Sequence, residues 1–351
     1  MTQTLTMRPA GRRPELARRR LLALAAATLL LLVVLAASLA LGARDIPLGT
    51  VLDALTDRVP GDNDHNVVLD QRLPRTVVGL LVGAALGLAG TLMQGVTRNP
   101  LADPGLLGIN AGASLAVVLS ITVLGVTSPT GYVWFAFAGA AAAMVVVYGI
   151  GSMGRAGATP VKLALVGTAL TAGITSVLTL LLLGSTPAMN TYRFWAVGSL
   201  AGRGSGTGAD VVLALLPFLA AGAVLALLSG RALNLLSMGE DLARGLGLNI
   251  RRARLLAILA AVLLAGAATA LAGPVVFVGL VIPHIVRPLT GPDYRWVLAF
   301  SVLVGPVVLL AADVLGRLVA RPGELEVGLV VALVGAPVMI AIVRRGRLAG
   351  L

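Results

Sequence analysis

The sequence predicts an all-α membrane protein, a polytopic helical bundle of about ten transmembrane helices with both termini in the cytoplasm. Three observations carry this. Of 351 residues, 58% are hydrophobic and 12% charged, with a mean hydropathy of +0.96, well outside the balance of a soluble domain of this size. Apolar runs of about 18 to 24 residues recur along the chain, the length that a hydrocarbon core of about 30 Å requires of a helix rising about 1.5 Å per residue. Finally, 19 of the 27 basic residues fall in alternate connecting segments, which the positive-inside rule assigns to the cytoplasm.

The elements follow in order. Residues 1–20 form a basic tail carrying Arg8, Arg12, Arg13, Arg18, Arg19 and Arg20, and the first span covers 21–42. Its end, Ala40-Leu41-Gly42-Ala43, has the look of an export signal, but a run of about 22 residues is long for one, and the alternation of later spans needs it retained. The next loop holds six aspartates (Asp45, Asp53, Asp57, Asp62, Asp64 and Asp70) and leads through Arg72-Leu73-Pro74-Arg75 into a second span, 76–97. Arg98 to Asp103 then breaks the apolar background with turn chemistry. Asp103 caps a third span, 104–125, with Pro104 in its first turn, so that Asn99-Pro100-Leu101 is held as a tight non-helical turn.

Spans four to six cover 131–151, 160–184 and 209–229. Residues 237–248 read as a short amphipathic helix that begins with a Ser237-x-x-Glu240 capping box and stops at Gly245 and Gly247. Leu235, Leu236, Met238, Leu242, Leu246 and Leu248 give it an apolar side, while Glu240, Asp241 and Arg244 present charge. Such a helix either docks a partner or only joins two spans at the membrane surface. Spans seven and eight, 253–273 and 275–290, are separated by Ala272-Gly273-Pro274, and the eighth contains Pro283, which predicts a helical hairpin or a broken helix. Spans nine and ten cover 296–318 and 326–343, and residues 344–351 are a cytoplasmic tail.

Function classes narrow by what the spans lack. Nearly every ionisable group lies at a predicted helix end, so the internal relay of an ion-coupled carrier is not visible. The only lysine, Lys162, has no glycine cradle, so the chain has no phosphate-binding loop and ATP would have to be handled by a separate subunit. Cysteine is absent, and His65 and His284 stand apart from each other and from any set of metal ligands, so no metal site or intramembrane catalytic set can be assembled. A channel or an ion-coupled carrier is the alternative of another class. The glycines at 83, 87, 90 and 95 and at 105, 108 and 112 suit close helix packing.

Five separated blocks then resemble the permeases of the bacterial iron-chelate and vitamin B12 importers. They are Arg72 to Arg75 with Gly83 to Gln94, Asn99 to Ser114, Gly239 to Leu248, Ala272-Gly273-Pro274 through Phe277 to His284, and Gly323-Glu324-Leu325 followed by Gly335-Ala336-Pro337. They span roughly residues 44 to 345 in the family order. The resemblance implies a type II importer permease of the ATP-binding-cassette class, with a permease domain over 21–343, in the cell membrane of a bacterium. It further implies a second permease subunit, two cytoplasmic ATPase subunits carrying the ATP and magnesium, and an extracytoplasmic substrate-binding protein. By the same resemblance Gly239, Glu240, Ala243, Leu246 and Gly247 belong to the coupling helix that enters the ATPase, and Asn99 and Leu101 narrow the cytoplasmic mouth of the path. Arg72, Arg75 and Arg317 match arginines that face carboxylates of the binding protein. Read from the residues, Arg72 and Arg75 are an exposed fork for carboxylates or headgroup anchors.

Asn110-Ala111-Gly112-Ala113-Ser114 and the stretch from Arg321 to Gly328 look closer to ferric enterobactin permeases than to vitamin B12 permeases. That points to a ferric siderophore of the catecholate type and to a heterodimer of two similar permeases, with vitamin B12 or haem as the other substrates and a homodimer as the other assembly. Glu326 departs from the pattern, because the ferric enterobactin permeases carry a basic residue there.

Overall fold

The computed structural model describes residues 12–126, 128–153, 159–202 and 207–344. Among them the regular structure is helical throughout. The helices are α1 (Arg12–Ala40), α2 (Leu48–Thr56), α3 (Asn63–Asn66), α4 (Leu73–Thr97), α5 (Ile109–Thr122), α6 (Pro129–Gly151), α7 (Pro160–Leu183) and α8 (Thr186–Ala196). After these come α9 (Thr207–Leu228), α10 (Gly230–Ser237), α11 (Glu240–Gly245), α12 (Ile250–Ala272), α13 (Val278–Thr290), α14 (Tyr294–Val319) and α15 (Val327–Arg344). A π-helical stretch, Val67–Arg72, runs into α4, and a 3-10 turn, Pro104–Leu107, precedes α5.

Seven helices are long and apolar enough to cross a membrane, and the helices at 109–122, 278–290 and 327–342 are apolar but shorter. Each of the ten expected apolar runs therefore holds a helix. The centre of the bundle is α4, α12 and α14, whose most apolar stretches are 78%, 78% and 61% buried, whereas those of α1 and α7 are only 6% buried. Small residues let the central helices meet backbone to backbone. A side chain at Gly90 of α4 would lie 1.9 Å from the carbonyl oxygen of Gly279 on α13, and Gly112 of α5 meets Gly139 of α6 in the same way.

Three expectations change. The basic tail is not separate from the first span, because α1 already begins at Arg12; residues 1–11 and 345–351 lie outside the described residues. The third span is not a straight helix from Pro104. Asp103 does cap a turn, accepting from the Gly105 amide at 2.8 Å, but that turn is 3-10 and closes at Gly108 (φ +78), after which α5 starts anew. Around the seventh and eighth spans the expected break is present: α12 ends at Ala272, and Phe277, at φ +67, turns the chain into α13. The third change, at residues 237–248, concerns the candidate site.

Sequence reading missed α2 and α8, which are too short to show as apolar runs. Their signals are turn chemistry: Pro47 before α2, and Ser185 capping the Ala188 amide with Pro187 in the first turn of α8.

α1 packs little and is secured at its two ends instead. At its start Arg19 donates to the Pro288 carbonyl (2.9 Å), and Arg20 donates to that of Thr290 (2.8 and 3.0 Å) and lies over the Trp296 ring. At its far end the carbonyls of Ser38, Leu39, Ala40 and Leu41 accept from Arg72 and Arg317. Each set places guanidinium groups at the negative end of a helix, α13 in one case and α1 in the other.

Candidate functional site

Polar chemistry collects at the two ends of the bundle. α4 has 25 residues and joins them, so the ends stand about 37 Å apart at 1.5 Å per residue.

At the end where α4 begins, the π-helical stretch and the first turn of α4 set Arg72 and Arg75 one turn apart, and α14 brings Asp313 and Arg317 alongside. Asp313 is fully buried. Its carboxylate accepts from Arg75 Nε (3.1 Å to each oxygen) and Nη2 (2.8 Å) and pairs with Arg317 Nη2 at 3.1 Å. The remaining Arg75 nitrogen, Nη1, reaches Glu324 Oε2 at 2.5 Å. Arg72 donates Nη1 to the Leu39 (2.8 Å) and Ala40 (2.6 Å) carbonyls and Nη2 to that of Arg44. Arg317 donates to the Ser38 and Leu41 carbonyls, each at 3.0 Å, and its buried Nε has no hydrogen-bond partner among the described residues.

These side chains wall a cleft of about 480 Å³ whose lining includes Arg44, Gln71, Arg72, Arg75, Arg317 and Glu324. The expected exposed fork is thus absent. Arg72, Arg75 and Arg317 are all buried, because Asp313 and the end of α1 satisfy them inside the chain. The exposed Arg44, Arg58 and Arg321 at this end pair with Asp64 (2.7 Å), Asp70 (3.0 Å) and Asp45 (2.6 Å).

At the other end Arg98 closes α4 in the left-handed region (φ +49) and turns the chain into Asn99-Pro100-Leu101. The tight turn is present: Asn99 Oδ1 accepts from the Leu101 amide at 2.9 Å, and both residues are exposed. Asp103 is half-buried, and burial pushes its carboxyl up to about 6 against the opposing Gly105 amide.

The amphipathic segment forms, but its capping box does not. Ser237 belongs to the last turn of α10 and donates to the Asn234 carbonyl (2.8 Å), so α11 starts at Glu240 after Gly239 (φ +108). Glu240 instead accepts from Arg254 at the start of α12 (2.5 Å) and stands 3.8 Å from Arg98, which joins α11 to α12 and to the turn after α4. Ala243 is buried beneath the helix. Met238, Leu242 and Leu246 are exposed, as are Asp241, Arg244, Gly245 and Gly247.

Between the ends the lining is apolar. A second cleft of about 340 Å³ between α13, α14 and α15 is walled by residues such as Phe277, Val281, Ala312, Leu315 and Val334. Among the described residues no group of three or more His, Asp or Glu is placed to hold a metal. His65 Nδ1 accepts from the Val59 amide, and His284 Nδ1 lies 2.9 Å from the Leu280 carbonyl. Among the described residues charge gathers at the two ends of the bundle, an arrangement that suits passage and docking.

A family model described as the FecCD transport family matches residues 30–345. The chain is 48% identical over 313 residues to the ferric enterobactin transport system permease protein of Escherichia coli (strain K12), covering 88% of this chain and 91% of that one. It is 43% identical over 286 residues to a siderophore transport system permease protein of Bacillus subtilis (strain 168), covering 82% and 85%. A metal-chelate type ABC transporter solved in an inward-facing conformation superposes with a TM-score of 0.79 at 27% identity, over 92% of this chain and 99% of that one.

Proposed function

This chain belongs to the FecCD transport family, and from that premise we propose how it works as the permease of an iron-chelate importer. It is a multi-pass membrane subunit of an ATP-binding-cassette importer for ferric siderophores and is not itself an enzyme; ATP and magnesium act on the partner ATPase. The importer also uses a substrate-binding protein.

The finer reading is our own. The siderophore is of the catecholate type, in line with the ferric enterobactin relative. The membrane is the bacterial cell membrane, crossed about ten times with both termini inside, and the partner permease is a similar chain in a heterodimer. The arginine cleft faces outward to the binding protein, with Arg72, Arg75 and Arg317 in its wall. α11, with Gly239, Glu240, Ala243, Leu246 and Gly247, is the coupling helix offered to the ATPase. Asn99 and Leu101 sit at the inner mouth of the path.

The observation that carries this arrangement is the division of polar chemistry. One end bears a cationic cleft, and the other bears a short helix whose leucines and methionine stay exposed among the described residues. The experiment is uptake of a ferric catecholate into vesicles bearing the permease pair, ATPase and binding protein. Uptake is expected only with all components and hydrolysable ATP. Accumulation that persists without ATP hydrolysis would show an ion-coupled carrier or channel instead.

A further inference from the structure

We propose that Glu324 is an internal stand-in for a carboxylate of the protein that docks on the cleft, and that docking exchanges it off Arg75. The inference rests on the binding-protein reading above. Arg75 divides its donors between two carboxylates of different character. Nε and Nη2 are on Asp313, which is fully buried and shared with Arg317. Nη1 is on Glu324, whose side chain is 37% exposed on the segment between α14 and α15. Parting from Asp313 would leave a buried charge unpaired, a large penalty. Parting from Glu324 returns a carboxylate to water, and partly exposed pairs of this kind contribute little. The guanidinium thus has one fixed side and one exchangeable side.

The surroundings favour an incoming anion. Arg44, Arg72, Arg75 and Arg317 line the cleft and are matched by Asp64, Asp313 and Glu324, while the hydrogen bonds of Arg72 go to backbone carbonyls. Among the described residues four cations therefore meet three carboxylates, and the buried Nε of Arg317 has no partner there. Releasing Glu324 raises the surplus from one positive charge to two. The freed Arg75 nitrogen, held in orientation by Asp313, presents a planar donor that suits a carboxylate.

The test uses the full-length permease assembled with its ATPase in nanodiscs, and measures the affinity of chelate-loaded binding protein at low salt. Glu324→Gln should bind about two- to fivefold tighter, the range of a partly exposed ion pair. Asp313→Asn should bind more weakly, because Arg75 loses its fixed side. A tetraglutamate peptide should compete better against the Glu324→Gln assembly than against wild type, and tetraglutamine should compete against neither. Unchanged or weaker docking by a monodisperse Glu324→Gln assembly overturns the exchange. Absence of docking by wild type would instead overturn the binding-protein reading; direct tetraglutamate binding then judges the exchange, and equal affinities for the two assemblies reject it. Tightening seen only in nanodiscs containing phosphatidylglycerol would assign the cleft to a lipid headgroup and also overturn it.

Discussion

Glu240 and Asp103 are carboxylates at the same end of the bundle with opposite environments. Arg254 hydrogen-bonds Glu240 and holds its carboxyl below the usual value of 4.5, with Arg98 and Arg244 adding to the effect against modest burial. A carboxyl lowered on folding stabilises the fold above its unfolded value, and that support is lost as pH falls through the folded value. The anchor of α11 is therefore whole at neutral pH and fails only below about pH 4.5. Glu240→Gln should remove it at pH 7, at a cost of up to about 1 kcal/mol, and speed amide exchange in α11. Unchanged exchange would mean that the packing of Ala243 alone holds the helix. Asp103 runs the other way: its carboxyl is raised to about 6, so the folded chain takes up a proton and the 98–108 turn gains stability as pH falls through that value. Asp103→Asn keeps the acceptor for the Gly105 amide and should make protection of the turn independent of pH between 5 and 7.5. A pH response that survives the substitution would assign it to another group.

At the scale of helices, the crossing of α4 and α13 depends on Gly90. Gly90→Leu would drive a side chain into the Gly279 backbone, with a cost of about 3 kcal/mol or more, read as a lower melting temperature and reduced yield; wild-type stability would show that the crossing relaxes freely. These glycines were legible in the sequence as packing positions, as were the ten apolar runs, because composition and spacing are local properties. One failure was also local in cause. Ser237-x-x-Glu240 satisfies a capping pattern, yet the chain still belongs to α10 at Ser237, whose hydroxyl bonds Asn234 rather than a following amide. The exposed arginine fork failed for the opposite reason: the partners of Arg75 lie 238 and 249 residues away, and no local pattern announces them. The face of α11 was legible as amphipathic. Replacing Met238, Leu242 and Leu246 with serine should abolish co-purification of the ATPase while leaving the permease folded, and retained ATPase would remove α11 from that contact.

For the molecule as a whole, the exposed apolar helices bear on assembly. Along α7, Val161, Leu165, Leu180 and Leu183 are all exposed, and along α15 Leu333 and Ile340 are exposed as well. Lipid can cover such faces, but so can a second permease, and native mass spectrometry of the purified importer should find two permease chains per complex. A single permease chain with two ATPases would exclude the paired arrangement. The sequence could not show this, because apolar residues facing lipid and those facing another helix have the same composition.

The anchoring of α1 also has a consequence for biosynthesis. α1 leaves the ribosome before the groups that secure it: Arg72, which holds the Leu39 and Ala40 carbonyls, follows 32 to 33 residues later, but Pro288 and Thr290 for its start and Arg317 for its end come 269 to 279 residues downstream. Until α14 is made, the carbonyls of Ser38 and Leu41 must be solvated at the membrane surface. α1 is therefore fully locked only late, and a nascent chain stopped before residue 317 lacks the Arg317 half of the clamp on its far end, a state for quality-control proteases to recognise.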